Sequence, residues 1–286
     1  MKYLGDEYLI KDTDNVVVTQ MGHIIEVQYM QKKNRKANIK KLDKDTYLNY
    51  QTGEIKEFEK IENRGQSKNS LRQTFKRMRY LINNNFTGSK NELFITLTYA
   101  ENMRCTERLY SDFEKFIKRL RYKYKDVSTI DYMSIVEPQG RGAWHCHVLA
   151  RFNDLERAYL PHSDLLKLWP HGKIVWIKRI DDVDNIGAYL TAYLCDIELT
   201  DETREFLKPG MELKKVEDKK YIKGGRLHLY PPGMNIYRKS AGIKAPERRK
   251  IKFRDIKNIV KDSAPHYIKT YNVQTDDFEN VITYYQ

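Results

Sequence analysis

Apolar and polar positions alternate with a period of two in short runs near the amino terminus, Val16 to Thr19 and Ile24 to Met30, with Met21 and Gly22 between them. Strand side chains alternate faces, so this pattern predicts a hairpin. The basic stretch Lys32 to Lys41 and polar sequence to about Asn63 then read as a solvated arm, with a DNA-binding arm as the alternative for the basic run. From Ser70 to Phe86 the period becomes helical, with Leu71, Phe75, Met78 and Ile82 on one stripe and Gly88 as the stop. Glu92 to Tyr99 contains FITLTY, an apolar β-branched run expected to form a buried central strand. Thr106 is the expected cap of a helix to about Lys125, with Leu109, Phe113, Phe116, Ile117, Leu120 and Tyr124 on its apolar face. Its other side carries Lys115, Lys118, Arg119, Arg121 and Lys123, open to reading as a solvated face or as a DNA contact.

Asp131 to Glu137 and Ala143 to Phe152 read as two strands joined by Pro138, Gln139, Gly140, Arg141 and Gly142, which supply turn chemistry. A short helix from Ser163 to Trp169 stops at Pro170. Lys173 to Ile180 is a strand candidate, Asp182 to Leu199 a helix, and Lys208 to Lys220 a charged loop. Turns and one strand fill Tyr221 to Pro246, and a short helix from Phe253 to Lys261 precedes a tail. This order predicts an α+β fold: a mostly antiparallel central sheet with helices packed on one face, in a split βαβ arrangement. It divides the chain into an N-terminal hairpin and arm (1–66), a central domain (67–247) and a C-terminal helix and tail (248–286).

Composition narrows the partner. The 286 residues carry 52 Lys+Arg against 39 Asp+Glu, a formal charge of +13, and 21 tyrosines. Basic residues interleaved with aromatics suit a polyanion whose bases can be stacked, and nucleic acid is the commonest such partner. Three cysteines without C-x-x-C spacing argue against a disulfide framework or zinc ribbon. The start, MKYLGDEYLIKD, lacks a signal-peptide core and no long apolar run follows, so the expected location is cytoplasmic.

Candidate chemistry concentrates in the central hairpin. His145 and His147 lie two apart on a strand and share a face, while Cys146 points away. If the hairpin is symmetric about Arg141, Glu137 lies opposite His145 on that face. Two imidazoles and a carboxylate suit Mg²⁺ or Mn²⁺, whereas a structural zinc site more often recruits cysteine. A His-x-His pair can equally be a surface or satisfied core pair. In NIGAYLTAYLCD, Tyr189 and Tyr193 are four apart and stack on one helical face. As isolated residues they also read as packing tyrosines.

Taken in order, FITLTY, Glu137 with GRGAWHCHVLARF, WPHGKI, GAYLTAYL and YRKSAGIKAPE resemble the HUH endonuclease superfamily. They are most similar to rolling-circle replication initiators of small plasmids and single-stranded DNA phages, the gene II-like group, over about Ser67 to Glu247. The resemblance implies a divalent metal on His145, His147 and Glu137, and catalytic tyrosines at Tyr189 and Tyr193. It implies nicking of single-stranded or hairpin origin DNA with a 5′-phosphotyrosine intermediate, later rejoining, and a host helicase as a conceivable partner. The lysine usual three residues after such a tyrosine is absent: Ala192 and Asp196 stand there, with Lys178, Arg179 and Lys239 as candidate substitutes. A relaxase or transposase of the same chemistry, and a non-catalytic DNA-binding repressor with the same fold, remain alternatives. A small-phosphate hydrolase fits the basic balance less well.

Overall fold

The structure is a computed structural model that describes residues 2–5, 10–32, 38–172, 175–180, 185–201, 203–207, 211–216, 218–275 and 278–285, with the side chains of 2–5, 68, 192, 193, 272–275 and 278–285 outside the description. Two compact units emerge, one from residues 1–60 and 246–286 and the other from residues 61–245.

The first unit opens with β1 (Lys2–Gly5), β2 (Asn15–Met21) and β3 (Ile24–Met30). Strands β2 and β3 form the expected hairpin, Met21 opposite Ile24. The stretch expected to be a solvated arm instead holds a three-stranded antiparallel sheet of β4 (Ile39–Lys41), β5 (Thr46–Asn49) and β6 (Ile55–Glu57). Its polar turns close themselves: Asp43 Oδ1 accepts from the Asp45 and Thr46 amides, and Asn49 Oδ1 from the Gln51 amide. Residues 33–37 of the basic stretch lie outside the described residues.

The second unit is an α+β body around an antiparallel sheet. In chain order it contains α1 (Lys68–Asn85), β7 (Glu92–Leu97), α2 (Thr106–Lys123), β8 (Ile130–Pro138), β9 (Trp144–Phe152) and α3 (His162–Leu168). It continues with β10 (Val175–Lys178), α4 (Ile186–Cys195), β11 (Ile197–Glu198), β12 (Leu213–Val216), β13 (Lys219–Ile222) and β14 (Tyr237–Lys239). The main sheet has the order β10-β7-β9-β8-β14, so the apolar run of β7 and the two strands of the central hairpin are interior. Residues 173–174 of the expected strand and 182–184 of the expected helix lie outside the described residues, and that helix, expected to reach Leu199, ends at Cys195, with Ile197–Glu198 pairing as β11. The charged loop expected at 208–220 contains the β12–β13 hairpin, Val216 opposite Lys219.

Helix α2 packs on the sheet face that carries Cys146: the Phe113 ring meets Tyr132 of β8 at 5.6 Å. Leu109, Phe113, Phe116, Ile117 and Leu120 are all buried, each contributing roughly 1.5–3 kcal/mol of apolar transfer. Its cap is Cys105 rather than the expected Thr106, the sulfur accepting from the Arg108 amide. The basic residues of this helix serve local ends. Lys118 pairs with Glu114 and Lys123 with Asp164, while Arg119 and Arg121 donate to the carbonyls of Leu168 and Ile130. Of the two readings of that face, its contacts favour the solvated and packing one. On the other side of the sheet, Arg151 donates to the Asn85 carbonyl of α1 at 2.7 Å.

The chain then returns to the first unit as β15 (Arg248–Lys252), α5 (Lys257–Val260), β16 (Ile268–Thr275) and β17 (Phe278–Tyr285). Where a tail is expected, β16 and β17 pair from Ile268–Tyr285 to Thr275–Phe278 and complete a sheet of order β1-β16-β17-β3-β2-β15. No helix among the described residues is long and apolar enough to cross a membrane.

Candidate functional site

The site is set by the register of the β8–β9 hairpin. Its turn closes with the Gly142 amide donating to Gln139 O and the Gln139 amide to Ala143 O, each at 2.8 Å. Gly142 sits at φ +84°, where a side chain would be strained. This closure puts Glu137 opposite His145 and Ile135 opposite His147. A slip of one residue would send Glu137 to the other face.

The result is a compact cluster: Glu137, His145 and His147 each offer one ligand atom, all within 4.8 Å of one another. His147 Nε2 lies 2.5 Å from Glu137 Oε2, with both side chains almost fully buried. Thr96 of β7, opposite His147 in the ladder, places its hydroxyl 3.1 Å from Nδ1. When Nδ1–H donates to that hydroxyl, Nε2 is the ligating nitrogen, an outer-shell arrangement typical of metal-binding histidines. The Phe94 ring stacks on His147 at 5.5 Å between centroids and fixes its plane. Cys146 points to the opposite face as expected, and burial pushes its thiol well above the ordinary range. The donor set, two imidazole nitrogens and a carboxylate on one rigid surface, therefore fits a divalent cation.

Electrostatics keep Glu137 and His145 in ligating form. Burial alone would raise the Glu137 carboxyl, but the hydrogen bond with His147 and the charges of Arg226 and the two histidines outweigh it and hold the group below its ordinary value. Burial pushes the His145 imidazole down to about 4, against the attraction of Glu137. At neutral pH it is therefore uncharged, with a lone pair to offer.

Arg226 is the residue that sequence reasoning missed. Its Nη1 lies 2.6 Å from Glu137 Oε1 and donates to Pro138 O, while its Nε donates to Asp196 O, both at 2.7 Å. Asp196 follows α4 directly, so one guanidinium ties the cluster to the carboxyl end of the tyrosine helix. The signal available was an arginine directly after the Gly224–Gly225 turn in GGRLHLY. Of the cations proposed from sequence, Lys239 donates to Ile243 O, and Lys178 lies 6.0 Å over the Phe94 ring.

Helix α4 is anchored at its other end by α1. Buried Asn83 accepts from the Gly187 amide at 2.8 Å and donates to Asn185 Oδ1 at 2.9 Å, while Asn185 also accepts from the Ala188 amide as a cap. A Cβ at Gly187 would lie 2.7 Å from Asn83 Oδ1 and 2.8 Å from Arg79 O, so only glycine allows this approach. Tyr189 is 49 % exposed on this helix. Tyr193 belongs to the same helix, one turn on, with its side chain outside the described residues. The described contacts tie the helix to the cluster through Arg226 and not through Tyr189. The YRKSAGIKAPE segment has an architectural part: Ser240 Oγ donates to Asp131 Oδ1 and accepts from the Tyr132 amide, and Lys244 O accepts from Asn85.

Residues 92–198, from the first residue of β7 to the last of β11, match the family model of the replication-associated proteins of the ORF2 and gene II protein type. No curated protein and no solved structure matches the chain.

Proposed function

We propose that this protein initiates rolling-circle DNA replication as a metal-dependent tyrosine endonuclease and strand transferase. The observation that carries the reading is that the hairpin register gathers Glu137, His145 and His147 within 4.8 Å inside the segment matching a replication-associated family. A divalent cation, Mg²⁺ or Mn²⁺, held by these three residues would polarise the scissile phosphate and offset charge building there.

The chain's own residues supply the rest. Thr96 and Phe94 hold the ring of His147, the His147 hydrogen bond and the charge of Arg226 keep Glu137 ionised, and Arg226 fixes the end of α4. Tyr189 and Tyr193 are the nucleophiles in this account. The phenol oxygen of one forms a bond to phosphorus as the bond to the 3′ oxygen breaks. The DNA 5′ phosphate is then esterified to tyrosine, and the departing oxygen takes a proton to become a 3′ hydroxyl. An ordinary phenol, with pKa about 10, is a weak nucleophile at neutral pH, so its proton must pass to a base or to solvent in the field of nearby cations. Because the ester conserves the energy of the broken bond, attack by the 3′ hydroxyl can rejoin the strand.

The test is incubation of the purified protein with single-stranded origin DNA in Mn²⁺ or in chelator. Cleavage only with the cation, yielding a free 3′ hydroxyl and a protein-blocked 5′ end, supports the proposal. Binding without cleavage in either condition would leave a DNA-binding repressor.

A further inference from the structure

A second surface of the same unit lies at the outer edge of the main sheet. Strand β10 is the edge strand, and Trp176 stands 61 % exposed on it. Nearby Tyr159 is 74 % exposed, and both line an open groove of about 580 Å³. Arg157, Lys178 and Arg179, all exposed, also line it, and among the described residues no carboxylate does.

Register connects this edge to the cluster. Trp176 pairs with Thr96, and Thr96 pairs with His147. Directly paired residues share a face, so Trp176 stands in the same cross-strand row as His147, two strand spacings or about 10 Å away. Lys178 shares that face, over the Phe94 ring that stacks on His147. An exposed aromatic pair with three cations would be a poor protein core but suits an unpaired nucleic-acid strand, whose bases stack on rings while its phosphates meet cations.

We propose that the β10 edge is a single-stranded DNA platform, in which Trp176 stacks a base flanking the scissile phosphate and Lys178 meets its backbone, with Tyr159, Arg157 and Arg179 continuing the track. This rests on the proposed function for its polarity toward the cluster, but the binding itself needs no cleavage. It assigns strand-holding to the open edge of the sheet, with Trp176 and Lys178 on the site face and Tyr159, whose carbonyl accepts from the Tyr124 hydroxyl at the end of α2, on the other.

The chain provides its own reporter. Of its three tryptophans, Trp144 and Trp169 are 3 % and 0 % exposed, so Trp176 is the one a DNA base can reach. Short oligo-dT is titrated into the full chain in chelator, with tryptophan emission and the anisotropy of labelled oligonucleotide read together. The expected result is quenching that saturates with the anisotropy, abolished in Trp176→Phe, and affinity roughly 5- to 150-fold weaker in Trp176→Ala, the range implied by one lost base–aromatic stack. Duplex DNA of the same length, whose bases are already stacked, should quench little. Oligonucleotide binding that leaves emission unchanged, or equal affinity in Trp176→Ala, would overturn the platform. Nicking by wild type is measured separately: quenching without nicking keeps the platform and removes the enzyme, and nicking without quenching does the reverse.

Discussion

Replacing Arg226 by alanine probes the link between the cluster and the tyrosine helix. The arginine is 15 % exposed and its partner Glu137 only 2 %, so the substitution leaves the carboxylate with His147 as its remaining partner in a site that water hardly reaches. Removing one member of a buried ion pair costs about 3–5 kcal/mol. Because water can partly follow into the vacated space, the lower end, about 3 kcal/mol, is expected. For a unit of this size each kcal/mol moves the midpoint by roughly 2–4 °C, so Tm in chelator should fall by about 6–12 °C. Arg226→Lys keeps the charge but not the three-way fork to Glu137, Pro138 O and Asp196 O, and should fall in between. Since a bound cation can itself compensate Glu137, Mn²⁺ should raise Tm more in Arg226→Ala than in wild type. Thermal unfolding of the three proteins with and without Mn²⁺ measures these values. A variant as stable as wild type in chelator, or equal Mn²⁺ shifts in both, would refute the idea that Arg226 balances this charge.

Three further outcomes follow from the same contacts. Gly187→Ala forces a Cβ against Asn83 Oδ1 and Arg79 O, so it should destabilise by about 1–3 kcal/mol and slow cleavage more than strand binding, as read by denaturant melts beside nicking and anisotropy. Burial opposes ionisation of Asp131, but hydrogen bonds from Ser240, Asn153 and Arg151 outweigh it and hold its pKa below the ordinary value. Its stabilising contribution is therefore present above the unfolded pKa and lost as pH falls through the lower folded one, so Asp131→Asn should flatten the acid limb of a stability–pH curve. Binding to single-stranded DNA should weaken with salt, and Lys178→Ala should reduce the log–log slope by about 0.7 if that lysine meets one phosphate; an unchanged slope removes it from the contact.

The site hairpin was legible because it depends on local rules. Strand alternation and a five-residue turn placed Glu137 opposite His145, and the observed ladder has that register. The apolar stripe of α2 and the run in β7 were legible for the same reason. What the sequence hid was long-range. Arg226 reaches Glu137 across 89 positions of chain, and no local period encodes such a pairing. Thr96 looked like one more β-branched residue of a central strand until its register with His147 gave its hydroxyl a partner. The carboxyl-terminal hairpin had its own alternation in IKTYNVQT and VITYY, but many of its residues are polar or aromatic, and its partner strand β3 lies near the other end of the chain. The basic face of α2 stayed open between two readings, because charge along a helix does not reveal which carboxylates and carbonyls its cations will meet; Lys123, for one, meets Asp164 of α3.

In the proposed reaction the tyrosines of α4 attack DNA at the cluster of Glu137, His145 and His147. Peptide mapping of the protein after reaction with single-stranded origin DNA and Mn²⁺ tests it most directly, using wild type, Tyr189→Phe, Tyr193→Phe and the double variant. A DNA-linked peptide spanning 186–195 is expected, with some adduct in each single variant and none in the double variant or in His147→Ala. A DNA adduct on a tyrosine outside this helix, or one formed by the double variant, would contradict it.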